Sequence, residues 1–143
     1  MVRRKDIRRA LVAAITLTAL LVPGTAGLAS ATTNVPNKVC DHEWKKGTWH
    51  IRQLIRCAAI RWDSPGTPKD AIEVARCESD LRPRAYNPNG YAGLFQQATR
   101  YWRDRAEHWG QAGRSVFNGR ANIIVSIRMA AAHGSWSAWG GCG

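Results

Sequence analysis

Glu78 is the acidic residue that is hardest to explain as ordinary surface charge. It follows Ala71, Val74 and Ala75 at helical spacing, so it falls on the apolar stripe of its predicted helix. It also lies close to the end of that helix, where the helix dipole disfavours a negative charge. Burial and the dipole both favour the protonated carboxyl, and an acid that stays protonated in a cleft is suited to general acid catalysis. A structural role, as a paired or end-of-helix surface group, is the alternative.

Cleavage of a glycosidic bond is one reaction that needs such an acid, and most glycosidases add a second carboxylate at a set separation. The candidates for that second group are Asp80, Asp104 and Glu107. Each lies in arginine-rich surroundings without an apolar placement, so we interpret all three as surface residues. The sequence therefore favours a mechanism with a single acid.

Residues 1–31 have the three parts of a secretory signal peptide. A basic start over residues 1–9 is followed by an apolar run over residues 10–22 and by a small-x-small cleavage site at Ala29-Ser30-Ala31. The run is too short for a membrane-spanning helix, which needs about 20 apolar residues, and retention as a signal anchor is the alternative. We therefore expect a secreted, extracellular protein with no membrane span in its mature form.

The net charge is lower, and suggests a different partner, once residues 1–31 are left out. The chain of 143 residues has a net charge of +11, which first suggests a nucleic-acid partner. Residues 1–31 hold five of the 21 basic residues and one of the 10 acidic ones, so the mature part keeps a net charge of +7. Because an exported protein meets little nucleic acid, we expect no such partner and favour an anionic polymer of the cell envelope.

The mature part contains four cysteines, Cys40, Cys57, Cys77 and Cys142. An even set in a small exported domain predicts disulfides. Of the three possible pairings we favour Cys40–Cys57, which closes a local loop, and Cys77–Cys142, which ties the chain end to the middle. A zinc site that adds His42 and His50 to the first pair is the alternative, although its spacing matches no standard finger. We expect no metal and no other cofactor.

Apolar residues recur at helical spacing over most of the mature chain, and no segment shows convincing strand alternation. The sequence predicts four helices, from Thr48 to the break at Ser64-Pro65-Gly66, from Thr67-Pro68 to the stop at Pro83, from Thr99 to Trp109, and from Asn118 to the stop at Gly134. Thr48, Thr67 with Asp70, and Asn118 are the expected caps. The tryptophans expected in the core are Trp49, Trp62, Trp102 and Trp109. The predicted organisation is an arm over 32–47 and one small, mostly α domain over 48–143.

Two short segments resemble those of a known family. Ala75-Arg76-Cys77-Glu78-Ser79 resembles the Glu-Ser segment of lysozyme-like lytic transglycosylases, and Ala92-Gly93-Leu94-Phe95-Gln96 resembles their Gly-Leu-(Met/Phe)-Gln segment. Asn122 resembles the asparagine at the start of a helix in that family. Cys77 together with Trp136, Trp139 and Cys142 resembles the resuscitation-promoting-factor branch of exported actinobacterial proteins. The resemblance covers residues 68–143.

The resemblance implies an α+β lysozyme-like fold with an active-site cleft. It also implies cleavage of the β-1,4 bond between N-acetylmuramic acid and N-acetylglucosamine in peptidoglycan, with Glu78 as general acid and then base. The candidate substrate-binding residues are Ser79, Tyr91, Gln96, Asn122 and Trp136. The implied partners are peptidoglycan glycan strands, with other anionic wall polymers as further candidates, and we expect a monomer associated with the cell wall.

One departure from the family concerns the partner of Glu78. Many transglycosylases carry an Ala-Tyr-Asn-Ala-Gly-like segment whose tyrosine orients the acid, but residues 131–135 read Ala-Ala-His-Gly-Ser. Tyr86, Tyr91 and Tyr101 are candidate substitutes between which the sequence does not choose.

Two other hypotheses therefore stay open, a non-catalytic wall-binding module and a cationic antimicrobial or anionic-polymer binder. Five arginines follow Glu78, namely Arg82, Arg84, Arg100, Arg103 and Arg105. We interpret them mostly as a solvated helix face whose charge would still attract an anionic wall polymer.

Overall fold

Helices form most of the structure, which is a computed structural model that describes residues 40–143. The four α-helices are α1 (Thr48–Arg61), α2 (Pro68–Ser79), α3 (Thr99–His108) and α4 (Gly119–His133). All four were expected from the sequence, and the prediction of a mostly helical domain is confirmed. The predicted signal peptide over 1–31 and residues 32–39 of the predicted arm lie outside the described residues.

Two of the three helix caps predicted from the sequence are present in the structure. Thr67 and Asp70 form the expected capping box at the start of α2, and Asn118 caps α4 by accepting a hydrogen bond from the Ala121 N–H. Thr48 was the wrong cap for α1. It is the first helical residue, and Gly47, which has a φ of +114°, is the flanking residue instead.

A small antiparallel sheet, absent from the helical prediction, follows α2. Its strands are β1 (Tyr86–Asn87), β2 (Tyr91–Ala92) and β3 (Gln97–Ala98), in the order β1-β2-β3. Tyr86 pairs with Ala92, and Tyr91 pairs with Ala98. Strands of two residues are too short to show an alternation of apolar and polar residues, so the sequence pattern could not reveal them.

The core lies where α1 packs against α2 and against α4. Its fully buried residues include Ile55 of α1, Ala75 of α2 and Ile127 of α4. Trp102 is buried as predicted, whereas Trp49 is 58% exposed, so its assignment to the core was wrong. The buried apolar face of α1 begins at Ile51 and ends at Ala59, and Trp49 is not part of it.

Residues 40–47 belong to the domain, although the sequence analysis assigned them to an arm. A 3-10 helix spans Trp44–Lys46. The Trp44 ring packs so closely on Gly119 that a Cβ there would lie 2.8 Å from it. In addition, Arg120 Nη2 donates to the His42 carbonyl oxygen at 2.6 Å. The boundary at residue 48 is therefore too late.

Both predicted disulfides are present. Cys40 bonds to Cys57, and Cys77 bonds to Cys142. The zinc hypothesis is therefore wrong, because the first disulfide consumes the two thiolates that the metal would need. Over residues 40–143 no cluster of three or more metal-ligating side chains occurs. No helix in the same range has the length and apolar character needed to cross a membrane.

The loop Gly93–Gln96 is buried between these elements and depends on side chains for its hydrogen bonds. The Phe95 N–H donates to Asn122 Oδ1 at 2.9 Å, and Ser79 Oγ donates to the Leu94 carbonyl oxygen at 2.7 Å. Trp139 Nε1 donates to the Phe95 carbonyl oxygen at 2.8 Å. These donors and acceptors come from α2, from α4 and from a final 3-10 helix, Ser137–Cys142. The loop is thus the point at which three separate segments are joined.

Gly93→Ala is expected to destabilise the protein much more than Gly110→Ala. Both glycines have positive φ angles, +81° and +71°, so both substitutions carry the same backbone penalty, roughly 1–2 kcal/mol. A Cβ at Gly93 would also overlap the Asn122 amide and lie 2.6 Å from the Val116 carbonyl oxygen, whereas nothing lies within 4 Å at Gly110. Overpacking of this kind adds about 1–3 kcal/mol. Urea unfolding followed by tryptophan fluorescence measures the difference, and equal losses for the two variants would contradict it.

Candidate active site

Glu78 lies in the last turn of α2, next to the disulfide-bonded Cys77 and the buried Ser79. Its side chain is half-buried, and this burial raises the pKa of the Glu78 carboxyl above the usual value for a glutamate. Within residues 40–143 the Glu78 carboxylate has no hydrogen-bond or ion-pair partner that would oppose this effect. The shift is towards the protonated form relative to an exposed glutamate, which is the direction that the sequence position suggested.

Two cavities meet at Glu78 and form the two halves of one cleft. The first, here called the Tyr101 half, has a volume of about 470 Å³ and is lined by Tyr91, Tyr101 and Trp139 among others. The second, called the Tyr86 half, has a volume of about 620 Å³ and is lined by Arg82, Arg84 and Tyr86 among others. Three residues line both halves: Glu78, Asn87 and Gln96.

Gln96 reaches the cleft from the end of the buried loop. It has a φ of +43°, a left-handed conformation that is uncommon outside glycine and often found at functional sites. Its Nε2 donates to the Gly93 carbonyl oxygen at 3.0 Å and to that of Ala85 at 3.4 Å. Because these bonds use the amide nitrogen, the Gln96 Oε1 is the atom that is left to accept a hydrogen bond from a ligand.

Asn87 is a cleft residue that the sequence analysis missed. Its Oδ1 accepts a hydrogen bond from the Asn89 N–H at 2.9 Å, which fixes the orientation of the amide. The two Nδ2 hydrogens have no acceptor among the described residues, and Asn87 lines both halves of the cleft. Pro88, Gly90 and Gly93 make residues 84–93 typical of turns, but nothing in that pattern shows which turn residue lines the cleft beside Glu78.

Two of the predicted substrate-binding residues, Ser79 and Asn122, do not line the cleft. Both are buried, and their polar atoms are used within the protein by the bonds to the Gly93–Gln96 loop. Asn122 Nδ2 also donates to the Val116 carbonyl oxygen at 3.0 Å. The structure therefore corrects their assignment, since they hold the loop in place beside Glu78.

Trp136 is also buried and contributes to neither half of the cleft. Its ring stacks on Phe95 with centroids 6.0 Å apart and an interplanar angle of 8°, and its Nε1 donates to the Pro65 carbonyl oxygen at 2.9 Å. Its placement as a substrate-binding residue is corrected, because the chain end folds back onto the core beside the Cys77–Cys142 disulfide. Trp139 is the tail tryptophan that lines the Tyr101 half.

Three exposed tyrosines surround Glu78. Tyr91, a predicted site residue, lines the Tyr101 half with Tyr101, and Tyr86 lines the other half. Within the described range none of them donates a hydrogen bond to Glu78, so the orienting tyrosine expected from the family resemblance has no counterpart among them. Their exposed rings instead offer flat apolar surfaces along the cleft.

Four of the five arginines interpreted as mostly solvated are exposed, and Arg105 is half-buried. Arg82 and Arg84 lie beyond the end of α2, so only the other three are on a helix. Arg82 and Arg84 line the Tyr86 half, and Arg100 and Arg105 line the Tyr101 half. Arg103 lines neither half, and it pairs with Asp104 at 3.2 Å. The three candidate second acids, Asp80, Asp104 and Glu107, are exposed as predicted, and Glu78 is the one acid that lines either half.

The arrangement combines one partly desolvated acid with amides, aromatic rings and cations along an extended cleft. Such a site can donate a proton to a polar polymer that lies across it. Comparison of the chain with protein-family models, with curated proteins and with solved structures finds no match. The resemblance to lytic transglycosylases therefore stays a prediction that depends on the short motifs.

Glu78→Gln is expected to stabilise the protein at neutral pH. A raised pKa means that the folded state binds the proton more tightly than the unfolded state, so stability falls as the pH rises through the window above the unfolded pKa. The amide removes this penalty, and its advantage should vanish in acid, where both states of the wild type are protonated. Thermal unfolding from pH 3 to pH 8 measures the effect. Glu73→Gln, on the same helix but paired with Arg76 away from the cleft, is the control that should show no such gain.

Proposed function

We propose that this chain is an exported enzyme that cleaves the β-1,4 bond between N-acetylmuramic acid and N-acetylglucosamine in peptidoglycan. The observation that carries the proposal is the position of Glu78, a half-buried acid where the two halves of the cleft meet. Its raised pKa suits it to protonate a glycosidic oxygen. The Glu-Ser and Gly-Leu-Phe-Gln segments, which are hydrogen-bonded to each other beside the same cleft, support the assignment.

In the proposed reaction a single carboxyl group, that of Glu78, acts first as an acid and then as a base. Glu78 gives its proton to the glycosidic oxygen, the bond from that oxygen to the muramoyl C1 breaks, and positive charge develops on the ring as an oxocarbenium-like state. The leaving sugar departs with a free hydroxyl. The Glu78 carboxylate then removes a proton from the nucleophile that attacks C1. If that nucleophile is the muramoyl 6-hydroxyl, the product has a 1,6-anhydro end, and if it is water, the product has a reducing end.

The two halves of the cleft match a substrate that extends on both sides of the bond. Tyr86 on one side and Tyr91 with Tyr101 on the other present exposed rings on which sugars can stack. Asn87 and Gln96, which line both halves, offer amide groups to the acetamido substituents next to the cleavage point. We include a lysozyme-like fold in the proposal, because a helix that ends at the acid and a small sheet that faces it are the elements that such a fold requires.

The proposed location is the outside of the cell, in contact with its wall. The two disulfides support it, since such bonds persist in oxidising compartments. A location outside the cell is also supported by the signal-like sequence of residues 1–31 and by the net charge of +7 on the remaining residues. The partner is then the glycan strand itself, bound by a monomer.

A second candidate is a wall-binding module that has the cleft without the reaction. The observation that favours it is the lack of any hydrogen bond to Glu78 from the described residues, because catalytic carboxyl groups are usually oriented by a partner. A cationic binder that needs no acid is a third hypothesis, and it gives no reason for a desolvated glutamate.

Glu78→Gln is expected to reduce the release of muropeptides from purified peptidoglycan by at least about a hundredfold, because the amide has no proton to donate. Mass spectrometry of the digest identifies the bond cleaved and separates anhydro from reducing ends. Glu73→Gln, a matched change on the exposed side of α2, should leave the release unchanged.

Co-sedimentation with peptidoglycan distinguishes the hypotheses. The enzyme hypothesis expects Glu78→Gln to bind normally and to release nothing. Release that survives the substitution contradicts the mechanism, and binding without release by the unaltered protein supports the wall-binding module.

A further inference from the structure

The cleft carries more positive charge than a neutral glycan backbone would require. Four arginines line its two halves against the single acid Glu78. No described carboxylate forms an ion pair with any of the four, whereas Arg76 and Arg103, outside the cleft, are paired with Glu73 and Asp104. Arginines left unpaired in a cleft keep their donors for a ligand, and a carboxylate matches the geometry of the guanidinium group.

Arg105 is the most firmly positioned of the four. Its Nη1 donates to Gln97 Oε1 at 2.7 Å, and Gln97 Nε2 donates in turn to Ser126 Oγ at 2.8 Å. Gln97 is 2% exposed and Ser126 is 0% exposed, so this chain of hydrogen bonds is anchored inside the protein. The fixed guanidinium has further N–H groups beyond this bond, and Arg105 lines the Tyr101 half.

Arg100 lies beside Arg105 and completes the cluster. The guanidinium carbons of Arg100 and Arg105 lie 4.8 Å and 5.2 Å from the centre of the Tyr101 ring, which both cations contact. Burial, and with it the neighbouring charge of Arg100, lowers the pKa of Arg105. Two cations are therefore held near one ring without an ion-paired carboxylate among the described residues, and Arg105 has lost part of its water.

We propose that Arg100 and Arg105 form a carboxylate-binding site in the Tyr101 half and that the enzyme selects glycan strands bearing a free carboxylate next to the bond that it cleaves. This inference rests on the proposed function. Peptidoglycan offers such a group from two sources. The lactyl carboxylate of N-acetylmuramic acid is free where the stem peptide has been removed, and the stem peptide carries its own carboxylates where it is present.

Binding is measured with the inactive Glu78→Gln protein, by isothermal titration calorimetry. The probes are a peptide-free oligosaccharide of alternating N-acetylglucosamine and N-acetylmuramic acid, the same oligosaccharide with its lactyl carboxyls converted to methylamides, and the stem-peptide-bearing form. Adding Arg105→Gln should weaken binding of a carboxylate-bearing probe by about tenfold, the typical effect of losing one charge-assisted hydrogen bond. It should leave the methylamide probe almost unaffected.

Arg103→Gln is the matched control, because it removes the same charge from the same helix outside the cleft. Arg100→Gln is the second variant, needed in case Arg105→Gln disturbs the buried Gln97. It should also weaken binding of the carboxylate probes, while Arg103→Gln should change the affinity less than twofold. If the arginine substitutions lower the affinity for the peptide-free probe alone, the group that the arginines bind is the lactyl carboxylate. If they lower the affinity for the stem-bearing probe alone, the group is a carboxylate of the stem peptide.

Equal losses for Arg100→Gln and Arg103→Gln, or equal affinity of the unaltered site for the acidic and the methylamide probes, would overturn the carboxylate site. The proposed function is tested separately from the carboxylate site. If Glu78→Gln still releases muropeptides, the single-acid mechanism fails, and the binding data continue to test the arginine cluster.

Discussion

The hydrogen bonds of the buried Gly93–Gln96 loop are the constraint on which the rest of the site depends. A buried peptide group without a partner costs about 1–3 kcal/mol, and this loop lies outside the helices and strands that normally supply one. Ser79, Asn122 and Trp139 supply the partners instead, each from a different segment of the chain. Satisfying the loop therefore brings α2, α4 and the chain end together, and Glu78 is positioned because Ser79 is its neighbour.

This constraint explains why motif residues can be mistaken for ligand-binding residues. Ser79 and Asn122 belong to the pattern that resembles a family of enzymes, yet both use their polar atoms to hold the loop. Glu78 and Gln96 are the sequence neighbours of Ser79 and Phe95, which take part in these hydrogen bonds. They are the motif residues that line the cleft. A motif of this kind specifies the residues that support Glu78 as much as it specifies Glu78 itself.

The sequence predicted what local interactions determine. The capping box at Thr67, the cap at Asn118 and the disulfide pairing were predictable because each depends on near neighbours or on a small set of choices. The exposure of Trp49 and the lining of the cleft by Asn87, Arg100 and Arg105 were not. Their surroundings come from segments distant in sequence, and two-residue strands leave no periodic signal that would place one turn residue opposite Glu78.

If Glu78 is the proposed acid, it and the cleft arginines have opposing electrostatic requirements, and the lack of an ion pair between them within residues 40–143 reconciles these. An arginine in contact with Glu78 would lower the pKa of its carboxyl and remove the proton that an acid catalyst needs. No described arginine forms such an ion pair, so the effect of burial prevails and the pKa is raised. A carboxylate bound by Arg100 and Arg105 would offset their charge and bring a second negative group near Glu78, which favours the protonated acid further. An anionic substrate would in this way help to keep the acid protonated at the moment when the proton is used.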